Sequence, residues 1–374
     1  MNKFTLAKYI AIILFFVLSV NNNLFAEEEK NEHEAKKKLD VGALIMDHVL
    51  DSHEWHILSY NDFHLSVPLP IIVYSQASGL NVFMSSKFHH GHEAYKGFAL
   101  ATEGALKGKI YEVNEDGTPK TVTIEKKGEQ IEETVLPLDF SITKNVVALF
   151  FSLALILWIF ISIANKYKGV QKAPTGLQNA IEPLILFIRD DIAKPAIGAK
   201  KYEKYMPYLL TVFMFIFFNN LLGLIPIFPG GANLTGNISI TFVLAIFTFI
   251  ITTRNANKNY WVHIFNAPGV PWWLKYPIPL MPLVEVIGVF TKPFVLMVRL
   301  FANITAGHII VLGFFSLIFI FGEMSVGVGY GISIVSIAFT IFMSVLELLV
   351  AFIQAYVFTL LSALYFGMAT EEHH

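Results

Sequence analysis

The stretch KPFVLMVRLFANITAGHIIVLG, residues 292–313, is apolar almost throughout, yet Arg299 lies in its middle and His308 follows nine residues later. It belongs to a longer apolar stretch, residues 277–320, and a second long one covers residues 331–368. At about 1.5 Å per residue, each is longer than one perpendicular crossing of a hydrocarbon core about 30 Å thick requires. These stretches predict long membrane helices that are tilted, lie partly in the membrane plane, or break.

The whole chain has the composition of a membrane protein. Of its 374 residues, 55% are hydrophobic and 15% are charged, whereas soluble domains carry about 25% charged residues. Three shorter apolar stretches, residues 146–164, 208–228 and 238–253, precede the two long ones. We therefore expect an all-α polytopic membrane domain over residues 143–374, with about five membrane helices, the last two long and tilted. The chain has no cysteine, which excludes disulfides and thiolate metal sites.

Residues 1–26 have the pattern of a secretory signal peptide. Lys3 and Lys8 precede an apolar run from Ile10 to Val20, and Ala26 stands before an acidic segment. A basic start, a short apolar run and a small residue at the cleavage site are typical of such signals. The alternative is an uncleaved anchor; in either case the segment that follows leaves the cytoplasm.

Residues 27–142 are predicted to form a small α+β region outside the membrane, with 20 Asp and Glu against 11 Lys and Arg. Helical spacing of apolar residues predicts a helix within residues 36–56, and alternation around the sequence EDG predicts a β-hairpin over residues 107–128. Three histidines, His89, His90 and His92, leave a metal site open as an alternative, since histidine is the commonest metal ligand. Their spacing matches no metal template, so we expect surface or packing histidines and no metal.

The distribution of Lys and Arg predicts the orientation. Eight of them lie in residues 165–205 and three in residues 254–275, whereas residues 229–237 and 321–331 have none. Positive loops stay in the cytoplasm. We therefore expect a multi-pass protein of a bacterial inner membrane, with a periplasmic N-terminal region and a cytoplasmic C-terminus.

Arg299 is the most unusual residue of the predicted spans. An arginine at the centre of a bilayer costs from about 2.5 to over 10 kcal/mol, and it keeps its proton. It must therefore face a carboxylate or a wet cavity. Asn303 shares its helix face, and Glu285 lies on the same face about 21 Å towards the cytoplasm.

Depth along the helices predicts two pairs: Arg299 with Gln354 near the middle, and His308 with Glu347 in the outer half. A histidine–carboxylate pair can relay protons, and Glu285 would supply a second polar route on the cytoplasmic side. The alternative is a set of buried ion pairs that only hold helices together. The ordering of five polar side chains by depth favours the proton route.

Four segments resemble subunit a of the rotary F-type ATP synthase: residues 174–192, 205–228, 282–310 and 347–370. The resemblance implies that Arg299, beside Asn303 and Gln354, faces the proton-carrying carboxylates of a rotating ring of c subunits. It also implies His308 and Glu347 as a proton pair, with the two residue types exchanged relative to many relatives. Gly223 stands where many relatives carry an acid, so a proton role is lost at that position.

The resemblance also implies the partners: the c-subunit ring, b-type peripheral stalk subunits, the catalytic head reached through the stator, and membrane lipid, with no nucleic acid. The chain would be a non-catalytic channel subunit without a cofactor, because it has no phosphate-binding loop. Residues 27–142 lie outside the resemblance, and we expect a folded cap over the proton entrance there.

Two other classes stay open from the sequence. An ion-coupled secondary transporter would also bury an arginine and acids, although no internal repeat of the kind common in that class is visible. A membrane-anchored sensor using the outer histidines would leave Arg299, Glu347 and Gln354 unexplained.

Overall fold

A computed structural model describes residues 41–60, 63–104, 106–126, 129–167, 174–225, 230–266 and 280–371. The predicted signal peptide lies outside the described residues. Helices predominate, and strands are confined to the N-terminal region. The predicted fold class, a polytopic helical membrane protein with a small α+β region, is confirmed.

The N-terminal region consists of one helix and four small antiparallel sheets. Their bounds are α1 Val41–Val49, β1 Glu54–Tyr60, β2 Phe63–Pro68, β3 Pro70–Ser75, β4 Gly79–Met84, β5 Phe98–Leu100, β6 Ile110–Glu112, β7 Thr121–Lys126, β8 Glu129–Thr134 and β9 Leu138–Asp139, with a 3-10 helix at Ser85–Gly91. The pairs are β1–β2, β5–β6 and β7–β8, and the third sheet has the order β4–β3–β9. Alternate residues of β3 point inward, so that Ile71 and Val73 pack with Phe83, Phe88 and Phe98 in a small core.

Two predictions about this region need correction. The predicted helix exists as α1 but ends at Val49, because the last residues of the predicted stretch enter β1. The predicted hairpin over residues 107–128 is confirmed only next to its turn, where Val113 bridges Pro119 and Lys120 N donates to Glu112 O at 2.9 Å. Its outer part is wrong, because β6 pairs with β5 and β7 pairs with β8. The EDG sequence does form a turn, with Gly117 N donating to Asn114 O at 3.0 Å.

The membrane domain begins at Lys144. Its helices are α2 Lys144–Tyr167, α3 Leu177–Phe187, α4 Lys194–Ile197, α5 Tyr202–Gly223, α6 Ile238–Arg254, α7 Lys258–Phe265, α8 Leu280–Met324 and α9 Val326–Thr370, with a π-helical segment at Ile188–Ala193. Within the described ranges, four helices, α2, α5, α8 and α9, are long and apolar enough to cross a membrane, and α6 with α7 makes a fifth candidate bent by 101°. This agrees with the predicted number of about five.

Helices α8 and α9 form the hairpin that carries most of the predicted site. Each has 45 residues and runs without a break, a length of about 68 Å. The two helices pack against each other, and α9 also packs against α5. Phe213, Leu296, Leu300 and Phe358 belong to the apolar core between them.

Small and polar residues bring the helices close together. Tyr208 Oη and Thr248 Oγ1 are 2.8 Å apart, and Thr248 Oγ1 lies 3.2 Å from Ser362 Oγ, which links α5, α6 and α9. At Gly367 on α9, an added Cβ would lie 2.0 Å from the carbonyl oxygen of Ala196 in α4. Only a glycine allows this approach of the two backbones.

Candidate functional site

The site is centred on a buried pair between the two long helices. His308 Nδ1 of α8 lies 3.1 Å from Glu347 Oε1 of α9, and their side chains are 15% and 6% exposed. The orientation of the two groups does not allow a hydrogen bond, so Glu347 Oε1 has no hydrogen-bond partner among the residues described. The predicted pairing of these side chains is confirmed. A buried acid held only by a neighbouring imidazole can gain or lose a proton when that imidazole does.

Two glycines shape the space around this pair. An added Cβ at Gly307 would lie 3.0 Å from Glu347 Oε1, and one at Gly223 would lie 3.7 Å from His308 Nε2. The absence of side chains at both positions therefore leaves room for the imidazole ring and the carboxylate. Gly223 is the position at which many members of the resembling family carry an acid, and it lies next to His308.

Arg299 and Asn303 lie one turn apart on α8, and both are exposed on the surface of the chain. Within the described residues, no carboxylate lies at ion-pair distance from Arg299. A guanidinium on a membrane helix needs a compensating anion or water. The structure thus leaves this face of α8 open to a group from outside the chain.

Gln354 differs from the prediction. It is 5% exposed, whereas Arg299 is exposed, and among residues 280–371 no hydrogen bond joins the two. The predicted direct pairing is wrong because Gln354 points into the helix packing and Arg299 points away from it. The sequence analysis missed Asn220 of α5, which donates from Nδ2 to the carbonyl oxygen of Ala351 at 3.0 Å and accepts from Thr235 Oγ1 at 2.5 Å.

Glu285 lies in a second polar space at the other end of the same helix. It borders a cavity of about 230 Å³, whose other polar lining residues are Asn259, Tyr260, His263, Lys292 and Glu371. The ammonium of Lys292 sits 5.6 Å above the ring of Tyr365, and Tyr365 is within electrostatic reach of Arg299. Polar side chains therefore connect the Glu285 cavity with the region of Arg299.

The N-terminal region meets the membrane helices through Asp51. One carboxylate oxygen accepts from Asn145 N at 3.0 Å, and the other accepts from Thr143 Oγ1 at 2.8 Å, at the start of α2. Lys144 lies between these two residues in the chain and has a buried side chain. Its Nζ donates to the carbonyl oxygen of His48 at 3.4 Å. His48 and Lys144 are both within electrostatic reach of His308. The sequence analysis did not single out either residue.

Three further histidines, His53, His89 and His90, have partners within the N-terminal region. His90 Nδ1 lies 2.8 Å from Glu54 Oε2, and the exposed His89 lies 3.6 Å from Glu93. His53 Nε2 lies 2.8 Å from Asp139 Oδ2. Burial raises the pKa of Asp139, but the hydrogen bonds from His53 and Ser141 outweigh it and bring that pKa below its ordinary value. These pairs brace the sheets of the region.

Together these features define a multi-pass membrane protein that conducts an ion, with a buried titratable pair and an open-faced arginine. Comparison with known proteins identifies the family. A family model described as ATP synthase A chain matches residues 146–367, and a second model, described as a domain of unknown function, matches residues 44–140. The chain belongs to the ATP synthase subunit a family.

Its relatives agree with this assignment. The chain is 47% identical over 239 residues to ATP synthase subunit a 2 of Prosthecochloris aestuarii, which covers 62% of this chain and 69% of that protein. It is 48% identical over 244 residues to ATP synthase subunit a 2 of Chlorobaculum tepidum, covering 63% and 65%. The match to ATP synthase subunit a of Anaeromyxobacter sp. is 36% over 304 residues, covering 75% and 70%.

The chain is thus the non-catalytic proton-channel subunit of the stator of an F-type ATP synthase, and ATP chemistry takes place on other subunits. It is a multi-pass membrane protein that associates with the rest of that complex. A secondary transporter, the alternative drawn from the sequence, is not supported.

Proposed function

We propose that Arg299 separates two proton half-channels, the outer one through His308 and Glu347 and the inner one through Glu285. The observation that carries this proposal is the exposure of Arg299 on a membrane helix, with no anion at ion-pair distance among the residues that the structure describes. A carboxylate of a rotating c ring would supply that anion. Arg299 would attract each carboxylate in its charged form and repel a proton that passes directly between the half-channels.

The two polar spaces support separate routes. The His308–Glu347 pair is buried between α8 and α9, and Glu285, which borders the second cavity, lies about six helical turns from His308 along α8. Asn303, on the exposed face with Arg299, would contact the same ring surface, and the buried Gln354 would hold α9 in register beside it. The membrane potential drives each transfer with about 2.3 kcal/mol per proton per 100 mV.

The orientation and the specific partners are parts of the same proposal. The positive loops support a periplasmic N-terminal region and a cytoplasmic C-terminus, so that the His308–Glu347 pair opens to the periplasm. The ring of c subunits would cover the exposed face of α8. The b-type stalk subunits would connect this chain to the catalytic head.

Arg299→Ala tests the proposal. We expect complete loss of ATP-driven proton pumping and of proton-driven ATP synthesis in membrane vesicles, with the c ring and the ATPase head still recovered together with this chain. Arg299→Lys should pump poorly, because an ammonium lacks the planar fork of the guanidinium. Arg189→Ala is the matched control, since Arg189 is an arginine outside the membrane spans that pairs with Asp190 at 2.7 Å. Normal pumping by Arg299→Ala would overturn the proposal.

A further inference from the structure

The N-terminal region places a titratable side chain over the outer end of the membrane hairpin. Helix α1 packs against α8, and His48 near the end of α1 is exposed to solvent. His48 is also within electrostatic reach of His308. Exposure decreases from His48, which is exposed, through His308 at 15% to Glu347 at 6%.

We propose that His48 is the first proton-accepting residue of the outer half-channel, and that Lys144 sets its proton affinity. This inference rests on the proposed function of the His308–Glu347 pair. It assigns to the N-terminal region a direct part in proton entry, in addition to covering the membrane helices.

The surroundings of His48 suit a group that accepts a proton and releases it quickly. The groups around it are Asp51 just after α1, Lys144 at the start of α2, His308 on α8 and, beyond His308, Glu347 on α9. Partial burial of the imidazole lowers the pKa of His48, and the charge of Lys144 lowers it further. A histidine with a lowered pKa is mostly neutral near neutral pH, so it remains an acceptor and holds its proton only briefly.

The backbone of Lys144 is held in place by contacts that do not involve the imidazole of His48. Lys144 N donates to the carbonyl oxygen of Ser52 at 2.8 Å, and the neighbouring Thr143 and Asn145 are bound by Asp51. A fixed buried cation also disfavours a metal cation at the same entrance. The position of Lys144 therefore favours the transfer of single protons between neutral groups.

The test measures ATP synthesis by the intact complex in proteoliposomes under a constant potassium diffusion potential. The pH on the side of the N-terminal region is varied from about 6 to about 9, the range around the ordinary titration of histidine. We expect His48→Gln to slow synthesis about tenfold at the alkaline end, less than the usual effect of a proton-transfer group because water partly replaces it. At the acid end the rates should converge, because free protons are abundant. His89→Gln, an exposed histidine away from α8, is the control.

Lys144→Met distinguishes proton transfer from mere bracing. Without the cation the pKa of His48 rises, so the alkaline fall in rate should move to higher pH by about one unit or less. Lys144→Arg should keep the original profile. Lys144→Met should cause a smaller shift in the His48→Gln background, where the cation acts only on His308. The inference is wrong if His48→Gln synthesises at the normal rate throughout, or if Lys144→Met shifts the profile equally without His48. Normal synthesis by Arg299→Ala in the same assay would instead refute the proposed function.

Discussion

The pair of His308 and Glu347 can be tested by removing and by exchanging its members. Two unit charges at their separation of 3.1 Å attract each other by about 5 kcal/mol at an effective dielectric constant of about 20. Removing one member of a buried pair costs about 3–5 kcal/mol. If about 3 kcal/mol of this cost is added to the activation free energy of proton transfer, His308→Ala or Glu347→Ala should slow proton-driven ATP synthesis roughly 100-fold.

The exchange His308→Glu with Glu347→His restores an acid and an imidazole at the same two positions. Gly307 and Gly223 leave space beside them, so we expect the double variant to be about tenfold faster than either single exchange. The rates are compared at equal amounts of assembled complex, and Glu323→Gln, an acid at the exposed end of α8, serves as the control. A double variant no faster than the slower single exchange would refute direct coupling between the two positions.

Two further predictions concern the inner cavity and the helix packing. Glu285→Gln should slow proton flux through vesicles about tenfold, while the exposed Glu203→Gln should not, and equal rates for both would exclude Glu285 from the route. Gly367→Ala should reduce the recovery of assembled complex in detergent, because the added methyl group would overlap the carbonyl oxygen of Ala196 at 2.0 Å. Gly288→Ala, where an added Cβ meets nothing within 4 Å, should assemble normally, and equal recovery of the two variants would contradict the packing argument.

The sequence predicted positions along the helices better than contacts around them. Apolar length located the membrane helices, and depth from the turn between α8 and α9 was enough to match His308 with Glu347. The same argument failed for Arg299 and Gln354, because depth does not fix the rotation of a helix about its axis. Packing fixes it: Gln354 turns towards the helix core, and Arg299 turns away.

The sequence could not predict how the N-terminal region meets the membrane helices. The contact of Lys144 with His48 joins residues 96 positions apart, and no periodic pattern marks either residue. The predicted hairpin was too long for a similar reason, because away from its turn β6 pairs with β5 and β7 pairs with β8. Short strands are specified by their neighbours more than by their own residues.

Asp51 has a consequence for the synthesis of the chain. Its carboxylate binds groups 92 and 94 residues further along the chain. Together with the hydrogen bond from Lys144 N to Ser52 O, it closes the base of a loop formed by residues 51–145. A ribosome must add the start of the first membrane helix before this closure can form. The N-terminal region therefore reaches its final attachment only after it has been translated completely, and its maturation is timed by the emergence of α2.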